Sequence, residues 1–297
     1  MPLSAQAAET LSCTHSGTVL QILGSGGPVA DDGRASAAYL VWINGKSRVL
    51  IDAGGGVFLR FAEAGGNFSD LDMIGISHFH ADHSAGLPAL LKSGYFAKRT
   101  RDLTVSGPDG GGPFPGLHDY LNRMLDDESG AYGYLSGYLD GSGGLPALDQ
   151  REISSGQQPA QSVYGEPGDN IYVEAMHVPH GIVPALAYRV SVGEKSVVFA
   201  SDQNGSNEQF VDFAKDATVL VMHMPVPEGI TGVGRKLHAP PGVIGEIASA
   251  ANVETLVLSH FMARSLGELD KHVSIVRSGF EGPIIVANDL DCIAVTG

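Results

Sequence analysis

The segment Ser77-His78-Phe79-His80-Ala81-Asp82-His83 places three imidazoles and a carboxylate within six residues, directly on the apolar run Met73–Ser77. Such a run reads as a strand, so the cluster sits where the chain leaves a strand end. Side chains of an extended chain alternate with period two, which points His78 and His80 the same way and lets them chelate one ion. Asp82 and His83 follow on a turn, within reach of a second ion beside the first. A set this rich in imidazole suits zinc, iron or manganese, whereas calcium and magnesium take oxygen shells. Four ligands do not close a two-ion site. The chain must therefore fold so that later residues return to this strand end.

Three later residues follow strand-like runs: His180 after Ile171–Val178, Asp202 after Ser196–Ala200 and His260 after Thr255–Ser259. Loops at strand ends are a usual place for a site on a rigid scaffold. His177 competes with His180, but it lies inside its run and reads as a structural histidine. Further strands are expected at Thr18–Leu23, Ala37–Ile43, Ser47–Ile51, Leu103–Ser106, Ala185–Val192, Thr218–Met222, Pro283–Ala287 and Cys292–Val295. Asn44-Gly45-Lys46 is a hairpin signal, because Asn-Gly tolerates positive φ. Helical spacing is clearest over Pro241–Ala251, where Val243, Ile244, Ile247, Ala248 and Ala251 share one stripe. Other helices are expected at Val57–Ala64, Ser84–Ser93, Leu117–Leu125, Asn207–Ala214 and Leu266–Ser278. Strands come first in each half and helices follow, which predicts two sheet-plus-helix halves packed sheet to sheet.

One domain is expected over residues 16–297, with a Gly- and Tyr-rich insertion at about 109–168 that breaks the rhythm. Within it, Tyr132, Tyr134 and Tyr138, with Phe114, read equally as an aromatic wall over the site and as packing of the insertion. The first residues, MPLSAQAAET, lack the basic and apolar regions of an intact signal peptide. Residues 1–15 are expected to be a flexible tail or the remnant of a trimmed export signal, and periplasm or secretion is favoured over cytoplasm. Cys13 and Cys292 either pair or act as independent thiols.

Charge narrows the partners. Of 297 residues, 33 are acidic and 18 basic, a formal charge of −15. Nucleic-acid surfaces need clustered Lys and Arg, so this balance opposes a polyanion the size of tRNA and favours a small anionic ester. No apolar run approaches the roughly 18 residues of a membrane span, so no membrane partner is expected. Assembly is left open, a homodimer included.

The set His78-Phe79-His80-Ala81-Asp82-His83, then His180, Asp202 and His260, resembles the metallo-β-lactamase superfamily. The resemblance extends to Gly24-Ser25-Gly26-Gly27-Pro28 and Leu50-Ile51-Asp52-Ala53-Gly54, and covers nearly the whole chain. Leu103–Pro108, Pro184–Arg189 and Leu256–His260 are similar to the ribonuclease Z and arylsulfatase-like phosphodiesterase branch. The resemblance implies a four-layer αββα sandwich and two divalent ions, zinc first, with iron and manganese as alternatives. It puts His78, His80 and His180 on one ion, Asp82, His83 and His260 on the other, and Asp202 between them. Asp82 then counts as catalytic as well as ligating, and Asp52 orients a ligating imidazole. His238, in His238-Ala239-Pro240-Pro241, resembles a catalytic histidine that is not a ligand. Its expected roles are general acid or hydrogen bond to a nonbridging oxygen, against the alternative of a surface histidine at a helix start. The relatives' His-Glu pair falls at His223-Met224, so an acid partner for His238 is missing there.

The implied function is hydrolysis of a small phosphodiester or related anionic ester by a metal-bridging hydroxide. Arylsulfatase is the runner-up. A β-lactamase or lactonase is opposed by Asp202, since zinc β-lactamases lack the bridging aspartate. A non-catalytic metal scaffold is opposed by the complete ligand set. Only 21 residues separate His180 from Asp202, the interval where ribonuclease Z relatives carry an RNA-gripping arm. No nucleic acid the size of tRNA is therefore expected.

Overall fold

Most strands of this chain are apolar on both faces, and a sheet of that kind must be covered twice. The computed structural model describes residues 17–97, 99–156 and 160–296. The first-half strands are β1 (Thr18–Gly24), β2 (Ala38–Ile43), β3 (Lys46–Ile51), β4 (Met73–Gly75), β5 (Leu103–Pro108) and β6 (Leu148–Ile153). Then come β7 (Gln161–Tyr164), β8 (Tyr172–His180), β9 (Val183–Val192), β10 (Lys195–Phe199), β11 (Val219–His223), β12 (Thr255–Ser259), β13 (Ile284–Val286) and β14 (Cys292–Ala294). They form two sheets, ordered β14-β1-β2-β3-β4-β5-β6 and β13-β12-β11-β10-β9-β8-β7.

Period-two alternation builds the layers. On β2, Leu40 and Trp42 pack with Leu50, Leu87, Leu91 and Leu121 under the helices Leu87–Tyr95 and Leu117–Leu125. Their neighbours Tyr39 and Val41 turn the other way, onto Tyr188, Val190, Phe199 and Val221 of the second sheet. On that sheet, Leu220, Leu256 and Leu258 face outward to Ile244, Ile247 and Val276 of the helices Pro241–Ala250 and Leu269–Gly279. The result is a four-layer αββα sandwich with three apolar seams.

Strand direction positions the site. β3, β4 and β5 run parallel in the first sheet, as do β10, β11, β12 and β13 in the second. β8 is antiparallel to β9, and β9 to β10, so β8 runs with β10. The carboxyl ends of β3, β4, β8, β10, β11 and β12 therefore carry residues to one edge of the sandwich.

Several elements differ from expectation. Beyond the expected helix Leu117–Leu125, the segment 109–168 supplies β6 and β7, an edge strand for each sheet. Both strands expose polar residues, which hides them from a search for apolar runs. The single helix expected over Ser84–Ser93 is two, Ala81–Ser84 and Leu87–Tyr95. Gly86 lies between them, where a β-carbon would meet the Gly54 carbonyl at 2.6 Å. A helix at Gly232–Leu237 was not foreseen in its Gly-rich surroundings. The expected tail, with Cys13, lies outside the described residues. Among the described residues, no helix is long and apolar enough to cross a membrane.

Phe199, almost fully buried between the sheets, packs its ring 5.6 Å from that of Tyr39. We expect Phe199→Ala to destabilise the protein by about 3–5 kcal/mol in urea unfolding, as for large-to-small changes in tight cores. A loss below about 1 kcal/mol would show that the seam repacks freely.

Candidate metal centre

Each polar residue of the site arrives on a strand end. The chain leaves β4 through Ser77 and His78, and His80 leads, in extended conformation, into the helix Ala81–Ser84 that carries Asp82 and His83. His180 is the last residue of β8, not a residue beyond it, because the turn closes at once through Gly181 at φ 63°. Asp202 follows β10, His223 ends β11 and His260 follows β12. Asp52, Ser201 and His260 all sit at positive φ, 61°, 57° and 57°. Non-glycine residues seldom adopt that region, and such strain gathers at functional sites.

These side chains converge. His78 Nε2 lies 3.0 Å from His80 Nδ1, and His83 Nε2 lies 3.1 Å from His260 Nε2. Asp82 Oδ2 is 3.2 Å from His260 Nε2 and 3.5 Å from His83 Nε2. The Asp202 carboxylate stands between the two sets. Its Oδ2 is 3.6 Å from His180 Nε2, 3.7 Å from His83 Nε2 and 4.0 Å from His78 Nε2. Its Oδ1 is 3.5 Å from His260 Nε2. The structure thus brings together all seven residues expected as ligands. His177 stays outside, half-buried on β8.

Three of the ligand imidazoles are tied back through their other ring nitrogen, whereas His260 Nδ1 is buried with no hydrogen-bond partner. His83 Nδ1 donates to Asp52 Oδ2 at 2.8 Å, and Asp52 is itself held by the Ser77 backbone N–H at 2.7 Å and hydroxyl at 2.9 Å. Since that hydroxyl donates to Asp52, its oxygen accepts from His78 Nδ1 at 3.1 Å. His180 Nδ1 donates to the Leu237 carbonyl at 2.9 Å. These bonds leave Nε2 of all three imidazoles as bare acceptors aimed into the cluster, and His180 Nε2 has no hydrogen-bond partner although buried. Facing lone pairs, a buried orphan nitrogen and a central carboxylate are the donor set of a metal site. These residues fit divalent ions.

Electrostatics agree. Burial pushes His78 and His80 well toward the neutral form that ligates. Burial works against the charge on Asp202, yet the His260 and His238 imidazoles and the His223 bond hold its carboxyl well below the usual range. Burial also disfavours a charge on His83, but Asp52 beside it raises that imidazole well above its ordinary value. A cation at that nitrogen competes with the proton, so metal loading falls with pH.

Known proteins resemble this chain in sequence and fold. A family profile described as Anti-Pycsar protein Apyc1 matches residues 18–108. Ribonuclease Z of Mycobacterium marinum is 27% identical over 288 residues, covering 93% of this chain and 98% of that one. Among solved structures, the metallo-β-lactamase fold protein YhfI of Bacillus subtilis superposes with a TM-score of 0.71 at 18% identity, covering 94% of this chain and 99% of that one. The short form of human tRNase Z also gives 0.71 at 18% identity, covering 94% and 100%. The chain has the metallo-β-lactamase fold and is similar to ribonuclease Z over almost its whole length. It is a metal-dependent hydrolase.

That placement corrects one expectation. A nucleic acid the size of tRNA was excluded on net charge and on the short interval between His180 and Asp202. Yet a ribonuclease Z aligns with almost the whole chain, and a tRNase Z shares its fold. Net charge is a sum over the molecule, whereas contact with RNA depends on local fields, so −15 does not set this hydrolase apart from them.

The metallo-β-lactamase cluster opens on a cleft of about 410 Å³ whose walls include His80, Asp82, His180, Asp202, Leu237 and His238. His238 stands with Nδ1 3.8 Å from Asp202 Oδ1 and no hydrogen-bond partner at that nitrogen. Burial pushes its imidazole down to about 4. Glu228, the next acid after His223, accepts from the Gly242 N–H instead of reaching His238. The tyrosines are not a wall of this cleft. Tyr138 is buried under the first helix layer with its hydroxyl on the Leu91 carbonyl at 2.8 Å, and Tyr134 covers the Lys92 ammonium at 4.8 Å. Tyr132 closes the turn beside them, its N–H on the Met124 carbonyl. The aromatic ring near the ligands is Phe114, 5.7 Å from His80.

Sequence reasoning placed His223 only at the position of the relatives' His-Glu pair and missed its bond to Asp202. Its Nδ1 donates to Asp202 Oδ1 at 2.7 Å, and its Nε2 accepts from the Tyr39 hydroxyl at 2.9 Å. The Tyr39 hydroxyl proton is shared with Ser259 Oγ, which accepts at 3.1 Å. Burial holds His223 down at about 3, so the neutral ring with its proton on Nδ1 satisfies the chain. Asp202 Oδ1 is thereby pinned and Oδ2 is turned to the other imidazoles. We expect His223→Ala to weaken metal binding about 10–100-fold in chelator competition, the usual effect of losing a residue that orients a ligand. Unchanged affinity in a folded variant would refute this role.

Proposed function

We propose that the protein hydrolyses phosphodiesters at a centre of two divalent ions, zinc being the first choice for this donor set. His78, His80 and His180 would hold one ion, and Asp82, His83 and His260 the other. The observation that carries the reading is Asp202, a buried carboxylate within 4.0 Å of imidazoles from both sets. Two ions bound there would lower the pKa of a water toward neutrality and neutralise charge on a phosphoryl group.

The chain's own residues do the rest. Asp52, Ser77 and the Leu237 carbonyl fix the tautomers of His83, His78 and His180, so these ligands are oriented before charge develops. His238 faces the cleft beside Asp202 and offers its N–H to a phosphoryl or leaving oxygen. Pro28, Ala81, Leu237 and Met262 give the cleft its apolar walls. The substrate class extends from small diesters to RNA, in keeping with the ribonuclease Z relatives. The test is turnover by the metal-loaded protein of bis(4-nitrophenyl) phosphate beside 4-nitrophenyl sulfate. We expect clear preference for the diester. Preference for the sulfate would replace this reading with arylsulfatase, and turnover of neither would reject both.

A further inference from the structure

The cleft holds one cationic side chain that the ligand set does not use. Arg264 lines it, on the short helix Ala263–Leu266 four residues after His260. Its Nε donates to the Pro225 carbonyl at 2.8 Å, which fixes one edge of the guanidinium. Among the described residues, no carboxylate lies within 4.0 Å of it. Other arginines use their outer N–H groups within the protein: Arg48 and Arg101 on Asp72, Arg60 on Asp289, Arg123 on Asp119 and Arg151 on Asp149, while Arg34, Arg99, Arg189 and Arg235 bond carbonyl oxygens. Arg264 lines the cleft with only its Nε engaged, which leaves the outer N–H groups of an exposed guanidinium available to an anion.

The backbone around Arg264 is braced as well. Ser265 N–H donates to the Met262 carbonyl at 2.8 Å, and the Ser265 hydroxyl accepts from the Met262 N–H at 3.1 Å. Asp31 caps the Ala263 N–H at 3.2 Å. From below, the buried His272 donates Nδ1 to the Ser265 carbonyl at 3.0 Å, which accounts for a histidine in the core of the outer layer. A guanidinium on so fixed a turn loses little freedom when it binds.

We propose that Arg264 is a second oxyanion-binding residue of the cleft beside His238, holding a substrate phosphate oxygen through its outer N–H groups. The inference rests on the phosphodiesterase reading for the identity of the anion. Its planar fork matches phosphate, and a charge-assisted bond of this kind is worth a large factor in affinity.

The test uses inorganic phosphate as the probe, titrated calorimetrically into metal-loaded wild type, Arg264→Ala, Arg264→Gln and Arg264→Lys, with metal content measured in each. We expect phosphate affinity to fall about tenfold in the Ala and Gln variants and to be largely retained in the Lys variant, at equal metal content. For bis(4-nitrophenyl) phosphate, KM should rise by a similar factor while kcat stays within about twofold. Unchanged phosphate affinity in both the Ala and Gln variants overturns the proposal, and so does a wild type that binds no phosphate. A wild type that binds phosphate but cleaves no diester rejects the phosphodiesterase reading, while the calorimetric comparison still decides the role of Arg264.

Discussion

Everything at the open edge of this sandwich depends on keeping one carboxylate charged in the interior. Asp202 is 3% exposed, and a bare carboxylate there would be strongly disfavoured. It persists because His223 donates to one oxygen and imidazoles carried by both sheets surround the other. That arrangement couples the halves of the molecule. Tyr39, from the first sheet, reaches across to His223 and Ser259 of the second, and its ring packs on Phe199 in the same seam. The seam between the sheets therefore supports the bond that orients the ligand.

The same economy governs the imidazoles. His78, His83 and His180 each use one nitrogen for the protein and leave the other for the cluster, so these backing bonds set their tautomers before any ion binds. Gly27 shows how closely the loops approach, since a β-carbon there would lie 3.1 Å from His260 Cε1. The left-handed backbone at Asp52, Ser201 and His260 is the local cost of aiming three side chains at one point.

Much of this was legible in the sequence, for definite reasons. Residues 78–83 announce their chemistry locally, and the strand runs before Asp202 and His260 place those residues on loops. The layer order follows from strands that are apolar on both faces. Other features carried no local signal. His223 ends an apolar strand and looks like any buried histidine until Asp202 and Tyr39 are seen beside it. Tyr138 has the composition of a pocket wall but is drawn into the helix-side core, where Leu91 accepts its hydroxyl. β6 and β7 escaped because edge strands need no apolar outer face. Net charge misled on RNA because it averages over a surface whose local fields decide binding.

The central claim is that Asp202 joins two ion sites into one centre. Native mass spectrometry of the zinc-loaded protein, wild type beside Asp202→Ala, tests it most directly. The account predicts two ions per chain in the wild type and one or none in the variant, with the fold intact by circular dichroism. Two ions in both proteins, or a single ion in the wild type, would contradict it.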